Sequence, residues 1–302
     1  MIPENTTYLV DASLYIFRAY HSLTPYWSDT DGWPTHAVHG FTHALLNLLE
    51  QSGAEQIAVC FDQAFGQTFR NTVYPAYKAN REPPTEDLVR QFAHCIRVTE
   101  ALGMTTVAHA NFEADDLIGS LAKKLRAAQR NCVIVSADKD LAQLLGANDR
   151  QWDFSKAAPF GPEQVRQKYG VGPELMAQLQ ALSGDAVDNI PGVRGIGLKT
   201  ASLLLQHFGS LDALYARLEE LPFLRMRGAA AAYQKLKAER AQAYLSLQLT
   251  TIHCDAPVPE VPALQRRALN LSAINDLFDE LGFGAYLRGR AKALHSRPSV
   301  SL

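Results

Sequence analysis

The sequence predicts an α/β fold, with a mainly parallel central sheet flanked by helices, followed by an all-helical region. Short apolar runs alternate with amphipathic stretches over the first two thirds of the chain, and from about residue 172 only helical patterns remain. With 302 residues, 47% of them hydrophobic, the chain is long enough to bury a large core. We expect an α/β core over 1–172, a helical region over 173–288 and a basic tail over 289–302.

Four apolar runs predict buried strands, and helical patterns separate them. The strands are 7–10, 56–61, 104–108 and 132–135, and the helices between them are 38–51, 86–102 and 114–129. In the second region the candidate helices are 173–183, 198–208, 210–220, 228–248 and 273–281. The end of the chain, 287–302, carries four Lys or Arg residues and no acid, and we expect it to be frayed.

Composition excludes several classes of protein. Cys60, Cys95, Cys132 and Cys254 lack metal-ligand spacing, which indicates reduced structural thiols and a cytoplasmic protein. The first residues lack a basic segment followed by an apolar run, so no secretory signal is expected. No run approaches 18 apolar residues, which argues against a membrane span. A formal charge of −2 argues, at first, against a nucleic-acid partner.

Acidic residues follow the predicted strands and begin predicted helices and turns. In an open α/β sheet the working face lies outside the carboxyl ends of the strands, so these acids converge on one edge. The set comprises Asp11, Asp62, Glu113, Asp115, Asp116, Asp138, Asp140, Asp185 and Asp188. Such a set repels itself and needs cations. Oxygen ligands suit Mg²⁺ or Mn²⁺, and two ions about 4 Å apart are the standard device for phosphodiester displacement.

Simpler interpretations exist for each acidic motif taken alone. EADD complements a helix dipole, SADKD caps a helix and GDAVD forms a turn. Their occurrence together, with two further acids at separate strand ends, favours a shared metal site. Zinc is disfavoured because neither Cys nor clustered His belongs to the set. His36, His39 and His43 share a predicted helix face, and we interpret them as covering that face rather than binding zinc.

A glycine-rich segment, PGVRGIGLK, starts at residue 191 and precedes a predicted helix. Its Gly192, Gly195 and Gly197 permit a tight hairpin whose N–H groups form an anion site. No strand precedes the segment, so a dinucleotide-binding loop is excluded. We expect a helix–hairpin–helix in which Arg194 and Lys199 bind DNA phosphates, with a plain helical hairpin as the alternative.

The segment between Asp62 and Glu82 contains no acid and mixes aromatic residues with cations. The aromatic residues are Phe65, Phe69, Tyr74 and Tyr77, and the cations are Arg70, Lys78 and Arg81. Aromatic rings stack on bases while cations neutralise phosphates, so this pattern indicates a nucleic-acid contact. A surface loop that never meets substrate is the alternative.

Six motifs occur together in the order and spacing of a known family: YLVDAS, FD at 61–62, YPAYKANR, EADDL, SADKDLAQLL and GDAVDNIPGVRGIGLKTA. From about residue 7 to about 288 the chain resembles the 5′-nuclease family. That family includes the 5′→3′ exonuclease domain of bacterial DNA polymerase I, phage 5′-nucleases and flap endonucleases. Because no polymerase domain follows, the chain looks like a stand-alone version.

The resemblance implies a role for each of the nine carboxylates. Those expected around a first metal ion are Asp11, Asp62, Glu113, Asp115, Asp116 and Asp138. Those expected around a second are Asp140, Asp185 and Asp188, directly or through water. All nine family positions are occupied by acids, which favours an active enzyme.

The resemblance also implies how DNA is held. Lys78 and Arg81 match the basic pair near the scissile phosphate, Tyr77 matches the aromatic residue that stacks beside it, and 62–92 would form an arch over the free 5′ end. The hairpin over 192–197 matches the motif that grips duplex DNA and often binds K⁺. One departure is His39, which stands where the family has an aromatic residue.

These observations predict a Mg²⁺- or Mn²⁺-dependent 5′→3′ exonuclease or 5′-flap endonuclease that leaves 5′-phosphate products in DNA replication or repair. Its partner would be DNA with a free 5′ end, a flap or a junction. We expect the protein to be monomeric and not to associate with a membrane. A catalytically silent junction-binding protein is one alternative. Another is a phosphatase or ribonuclease, although Ser13 stands where a haloacid-type phosphatase needs a second Asp.

The net charge of −2 does not contradict this prediction. With the nine acids of the site set aside, 22 acids remain against 29 basic residues. The net charge therefore sums an acidic pocket, which needs cations, and basic segments elsewhere in the chain. We expect DNA binding to depend on divalent metal as well as on salt.

Overall fold

A computed structural model describes residues 6–62, 68–154 and 158–296 of the chain. Within them, five parallel strands form one sheet in the order β3-β2-β1-β4-β5. The strands are β1 (Thr6–Asp11), β2 (Ile57–Asp62), β3 (Thr105–His109), β4 (Asn131–Val135) and β5 (Arg150–Gln151). Val10 of the central strand pairs with Val59 on one side and Val135 on the other. All five strands therefore end at the same edge.

Helices cover both faces of the sheet. They are α1 (Ala12–Ser22), α2 (His36–Ser52), α3 (Phe69–Val73), α4 (Glu86–Ala101) and α5 (Ala114–Ala127). Because successive strand residues point to opposite faces, Leu9 and Ile134 pack on the side of α5, while Tyr8 and Val10 pack on the side of α1, α2 and α4. This two-sided burial explains why β1, β2 and β4 are almost continuously apolar. The strand predicted as buried over 104–108 is less buried than expected, because in β3 only Val107 is buried.

The last helix of the first region is α6 (Pro162–Tyr169). The second region contains helices only among the residues that the structure describes. They are α7 (Met176–Ser183), α8 (Leu198–Phe208), α9 (Leu211–Ala216), α10 (Ala229–Ala238), α11 (Arg240–Thr250), α12 (Leu271–Glu280) and α13 (Ala285–His295). Helices α7 and α8 flank the predicted hairpin. The prediction of a parallel sheet flanked by helices, followed by a helical region with a helix–hairpin–helix, is confirmed. No helix in the described ranges is long and apolar enough to cross a membrane.

Some predicted elements differ from the observed ones. Helix α1 was not expected, because its apolar and aromatic residues give little helical signal; Asp11 caps it by accepting from the Leu14 N–H at 3.2 Å. The single helix expected over 228–248 is two helices that meet at Glu239. The helix expected over 210–220 ends at Ala216 and gives way to a 3₁₀ stretch, Leu218–Phe223.

The expectation of a frayed end from residue 287 is wrong as far as His295. Helix α13 buries Leu287, Ala291 and Leu294 against the same core cluster as α1, α2 and α4. Arg290 anchors it to α2 through Glu50 at 2.6 Å. Positive charge suggested a tail, but the apolar residues repeat at helical spacing and tertiary packing orders them.

Replacing Leu287 with Ala is expected to lower the free energy of unfolding by about 2–5 kcal/mol, because it leaves a cavity in a close-packed core. Urea unfolding followed by circular dichroism measures the change. Lys292→Ala on the exposed face of α13 is the control and should stay within about 0.5 kcal/mol of wild type. Equal stability of the Leu287 variant and wild type would show that α13 does not contribute to the core.

Candidate active site

Carboxylates meet at the edge where the parallel strands end. Asp11 is the last residue of β1 and Asp62 the last of β2, while Asp138 follows β4 and Asp115 lies in the first turn of α5. Burial, followed by the charge of Asp62, raises the pKa of Asp11 to about 7. Burial and the charges of Asp138, Asp11 and Asp62 raise the pKa of Asp115. These four carboxyl groups therefore share one desolvated site.

Asp140 and Asp185 extend the site toward the helical region. Burial and the charge of Asp138 raise the pKa of Asp140 to about 6. Asp185 behaves in the opposite way: burial alone would raise its pKa, but the hydrogen bond and charge of Lys139 hold it below the usual value. Lys139 Nζ lies 2.5 Å from Asp185 Oδ2 and 3.4 Å from Asp140 Oδ1, so one cation bridges the two acids.

Local hydrogen bonds fix the orientation of these carboxylates. The Ala114 N–H at the start of α5 donates to Asp62 Oδ1 at 2.6 Å. The Ser136 hydroxyl donates to Asp11 Oδ2 at 2.9 Å, and the Asp140 N–H donates to Asp138 Oδ1 at 2.9 Å. These donors come from the start of α5 and from the segment that follows β4, so neighbouring elements at the sheet edge fix the three carboxylates.

Two further acids, Glu113 and Asp188, form ion pairs with cationic side chains. Lys78 Nζ is 2.9 Å from Glu113 Oε2 and 3.8 Å from Asp188 Oδ2, and Arg81 pairs with Asp188 as well. The Lys78 N–H donates to the Asp188 carbonyl at 3.0 Å, which joins the segment around Lys78 to the GDAVD loop. The predicted basic pair and two of the predicted acids are thus brought together in one contact.

Arg70 and Asp116 do not fit their predicted roles of DNA contact and metal ligand. The Arg70 guanidinium binds both oxygens of Asp116, at 2.8 and 2.7 Å, and donates to the carbonyls of Leu249 and Thr251 at 3.0 and 3.2 Å. Arg70 is 2% exposed and Asp116 is 0% exposed. Since a buried bidentate pair satisfies both groups, the pair joins α3, α5 and the end of α11.

Tyr77 is buried, and it also forms part of the wall of the cavity beside the acids. Its ring packs with Ile190 and Leu249, and its hydroxyl donates to Glu113 Oε2 at 3.1 Å. Burial and the charge of Glu113 raise the pKa of Tyr77 beyond its ordinary range. The position therefore orients Glu113 in this structure. Phe65, another predicted aromatic contact, lies outside the described residues.

A cavity of about 1300 Å³ opens beside the basic pair. Asp62, Glu113, Lys78 and Arg81 line one part of its wall, and aromatic residues line much of the rest. The aromatic residues are Phe17, Tyr20, Phe69, Tyr77, Phe92 and Phe112. A cavity lined by acids, cations and aromatic rings suits an extended polyanion whose planar groups can stack on the rings.

The predicted hairpin forms between α7 and α8. Gly192 and Gly195 have φ values of 61° and 74°, a left-handed backbone that favours glycine. A Cβ on Gly192 would lie 2.2 Å from the backbone nitrogen of Gly184. Val193 and Ile196 are buried beneath the turn. The other predicted positions are exposed on its solvent side or at the start of α8, namely Arg194, Gly195, Gly197 and Lys199.

The three histidines of α2 make separate contacts. His39 stacks on Trp27 with 3.7 Å between ring centroids, and burial lowers its pKa to about 4. His43 lies near Tyr286, and His36 Nε2 contacts the Tyr20 carbonyl at 3.2 Å. A histidine that remains neutral and stacked serves as an aromatic residue, which accounts for His39 at its position.

The donor set suits hard divalent cations, because its members are carboxylates, and burial together with neighbouring acids raises the pKa values of Asp11, Asp115 and Asp140. Over residues 6–62, 68–154 and 158–296, however, no three His, Cys, Asp or Glu side chains already form a ligand group. The ion pairs of Lys78, Arg81 and Lys139 occupy acids that the sequence assigned to metals. Lys139 was missed by sequence reasoning, although its place between Asp138 and Asp140 signals it.

Two family models match the chain in succession. A 5′-3′ exonuclease N-terminal resolvase-like domain covers residues 6–170, and a 5′-3′ exonuclease C-terminal SAM fold covers residues 171–271.

Curated relatives agree with these models. DNA polymerase I of Pseudomonas aeruginosa is 42% identical over 92% of this chain, which spans 31% of that protein's length. A 5′-3′ exonuclease of Buchnera aphidicola is 37% identical over 83% of the chain and 87% of its own length. The chain thus spans about a third of the polymerase and most of the Buchnera protein.

Solved structures share the fold. The T5 5′-exonuclease with bound divalent metal ions superposes with a TM-score of 0.68, at 20% identity, over 96% of this chain and 98% of its own. A complex of the T5 flap endonuclease with DNA and metal ions gives a TM-score of 0.63, also at 20% identity, over 96% and 97%. At this identity the likeness establishes the fold.

Replacing Arg70 with Met should lower the free energy of unfolding by about 3–5 kcal/mol, because Asp116 is left buried without a partner. Adding Asp116→Asn removes the stranded charge and should restore part of the loss. Chemical denaturation measures both changes, with Arg194→Met as an exposed control. If Arg70 faced DNA instead, its replacement would scarcely change stability.

Asp11 predicts a pH dependence of the metal-free protein. Its pKa is about 7 when folded and 3.8 ordinarily, so between these values the folded state keeps a proton that the unfolded state has lost. Stability therefore falls as pH rises through this window. In EDTA, Asp11→Asn should have a higher melting temperature than wild type at pH 8, and the difference should shrink toward pH 4. Asp276→Asn, on the exposed face of α12, is the control. A variant that melts below wild type at pH 8 would contradict this assignment.

Proposed function

We propose a reaction for this chain from the premise that it belongs to the 5′-3′ exonuclease family of nucleases, whose two domain models match residues 6–170 and 171–271. The chain acts as a divalent-metal-dependent 5′→3′ exonuclease or 5′-flap endonuclease on DNA and leaves 5′-phosphate products. The observation that carries the proposal is the convergence of Asp11, Asp62, Asp115 and Asp138 at one sheet edge. The identity of the ion, Mg²⁺ or Mn²⁺, belongs to the proposal too.

The residues that would hold metal are the carboxylates other than Asp116, whose two oxygens are both bound by one buried arginine. We assign Asp11, Asp62, Glu113, Asp115 and Asp138 to one ion. We assign Asp140, Asp185 and Asp188 to a second, and exclude Asp116 from direct coordination because Arg70 binds both of its oxygens. Bound divalent ions would lower the pKa of a water and offset negative charge on the leaving oxygen.

The chain's own residues position the DNA. Lys78 and Arg81 line the cavity beside the acids, so both can bind the phosphate that enters it. Their present partners, Glu113 and Asp188, are assigned to metal, so divalent ions held there would leave the two side chains available for phosphate. Arg70 acts as a positioning residue, because it holds Asp116 and does not line the cavity. Tyr77 holds Glu113 and also lines the cavity, so it can contact DNA there as well.

The hairpin holds the duplex next to the cleavage site. Exposed Arg194 and Lys199 flank a turn that leads into α8, where N–H groups and cations together suit DNA phosphates. K⁺ at this hairpin, action in replication or repair, a cytoplasmic location and a monomeric state remain predictions of the sequence. The cavity of about 1300 Å³ is large enough for a few unpaired nucleotides of a 5′ tail.

Asp138→Asn is expected to lower the rate of 5′-flap cleavage by about 100-fold or more, because it removes a charge that the metal site needs. A duplex with a labelled 5′ flap, incubated with Mg²⁺ or with EDTA, reports both rate and cleavage position. Asp276→Asn is the matched surface control and should cleave as wild type does.

Unchanged cleavage by the Asp138 variant would contradict the proposal. Wild-type protein that binds the flap but cleaves nothing in Mg²⁺ would instead indicate a silent junction-binding protein. Faster turnover of an RNA hairpin or of small phosphate esters would place the chain in another hydrolase class.

A further inference from the structure

A short segment outside the site presents one aromatic ring and two cations to solvent. From 223 to 227, between the 3₁₀ stretch Leu218–Phe223 and α10, residues alternate between exposed and half-buried. Leu224 and Met226 pack against the core, whereas Phe223 is 87% exposed and Arg225 and Arg227 are exposed as well. The three exposed side chains therefore reach solvent within five residues of one another.

Neither arginine is neutralised by an acid in the described part of the chain. Arg217, a few residues earlier, pairs with Glu220 at 2.8 Å, but no ion pair or hydrogen bond engages the side chains of Arg225 and Arg227. From 221 to 238 the sequence carries four Lys or Arg residues and no acid. Unpaired cations beside an exposed ring suit a polyanion that also offers apolar surface.

The segment is connected to the hairpin through α10. Lys235, near the end of α10, donates to the Gly195 carbonyl at 3.3 Å, and the Arg194 N–H donates to Glu239 Oε2 at 2.7 Å. The start of α10, next to the segment, lies six residues before Lys235, or about 9 Å along the helix. The hairpin and the segment therefore occupy the two ends of one short helix.

We propose that Phe223, Arg225 and Arg227 form a second contact with duplex DNA, beyond the contact made by the hairpin. A separation of about 9 Å corresponds to about three base-pair steps of 3.4 Å. The two arginines bind phosphates, and the Phe223 ring packs on the sugar edges between them. This inference rests on the proposed function, since it assumes that the hairpin grips duplex DNA.

The test is a double variant, Arg225→Gln with Arg227→Gln, compared with a double control, Arg267→Gln with Lys292→Gln. All four residues are exposed, so folding should be unaffected. Fluorescence anisotropy in EDTA measures Kd for flap substrates whose downstream duplex ranges from about 4 to about 20 base pairs, over a series of salt concentrations. Cleavage in Mg²⁺ gives kcat and KM separately.

For long duplexes, the double variant should bind about 10-fold more weakly, and its slope of log Kd against log salt should fall by about 2, because each arginine neutralises one phosphate. Its KM should rise while kcat stays at the wild-type value. The effect should decrease as the duplex shortens toward about four base pairs, which only just span the two contacts. Phe223→Ala should weaken binding by about 3-fold without changing the salt slope.

A wild-type salt slope and Kd for the double variant on long duplexes would overturn the inference, as would the same loss of affinity at every duplex length. The wild-type protein separates this result from the proposed function. If wild type cleaves the flap and the variant equals it, only the second contact fails. If wild type cleaves nothing, the proposed function fails, and the anisotropy series still decides whether the segment binds duplex.

Discussion

Mutual repulsion among carboxylates at the sheet edge is the constraint around which the rest of the molecule is arranged. Parallel strands bring Asp11 and Asp62 side by side, and α5 adds Asp115. Charges of one sign in a desolvated space are costly unless protons or cations balance them. Lys78 and Lys139 supply cations at the margin, while the centre around Asp11 has raised pKa values. The repulsion at such a site lowers the stability of the folded protein, and the same repulsion favours the binding of divalent ions.

The sheet and the set of acids were predictable from the sequence for a physical reason. Strands buried on both faces are nearly continuous apolar runs, and an acid that ends such a run can only lie at the carboxyl edge of the sheet. Asp11, Asp62 and Asp138 follow directly from that pattern. The hairpin was predictable too, because Gly192 and Gly195 indicate left-handed backbone conformations that few other residues adopt.

The remaining features depend on contacts between distant segments, which local patterns do not reveal. Arg70 and Tyr77 have the composition of a DNA-binding loop, but their partners are Asp116 and Glu113, 46 and 36 positions away. Likewise α13 has the charge of a tail, and its packing through Leu287, Ala291 and Leu294 orders it. The sequence shows which functional groups a side chain carries. The fold determines whether those groups face solvent or pair with partners in the interior.

The close approach of Gly184 and Gly192 has a consequence for where the chain cuts. The backbone of the hairpin touches the backbone that leads into Asp185, and the Asp185 N–H donates to the Ile190 carbonyl at 2.8 Å. On the proposed function, the hairpin that holds the duplex is therefore joined by backbone contacts to the loop that carries Asp185. The number of nucleotides between the gripped duplex and the cut would then be set by backbone geometry, whatever the DNA sequence.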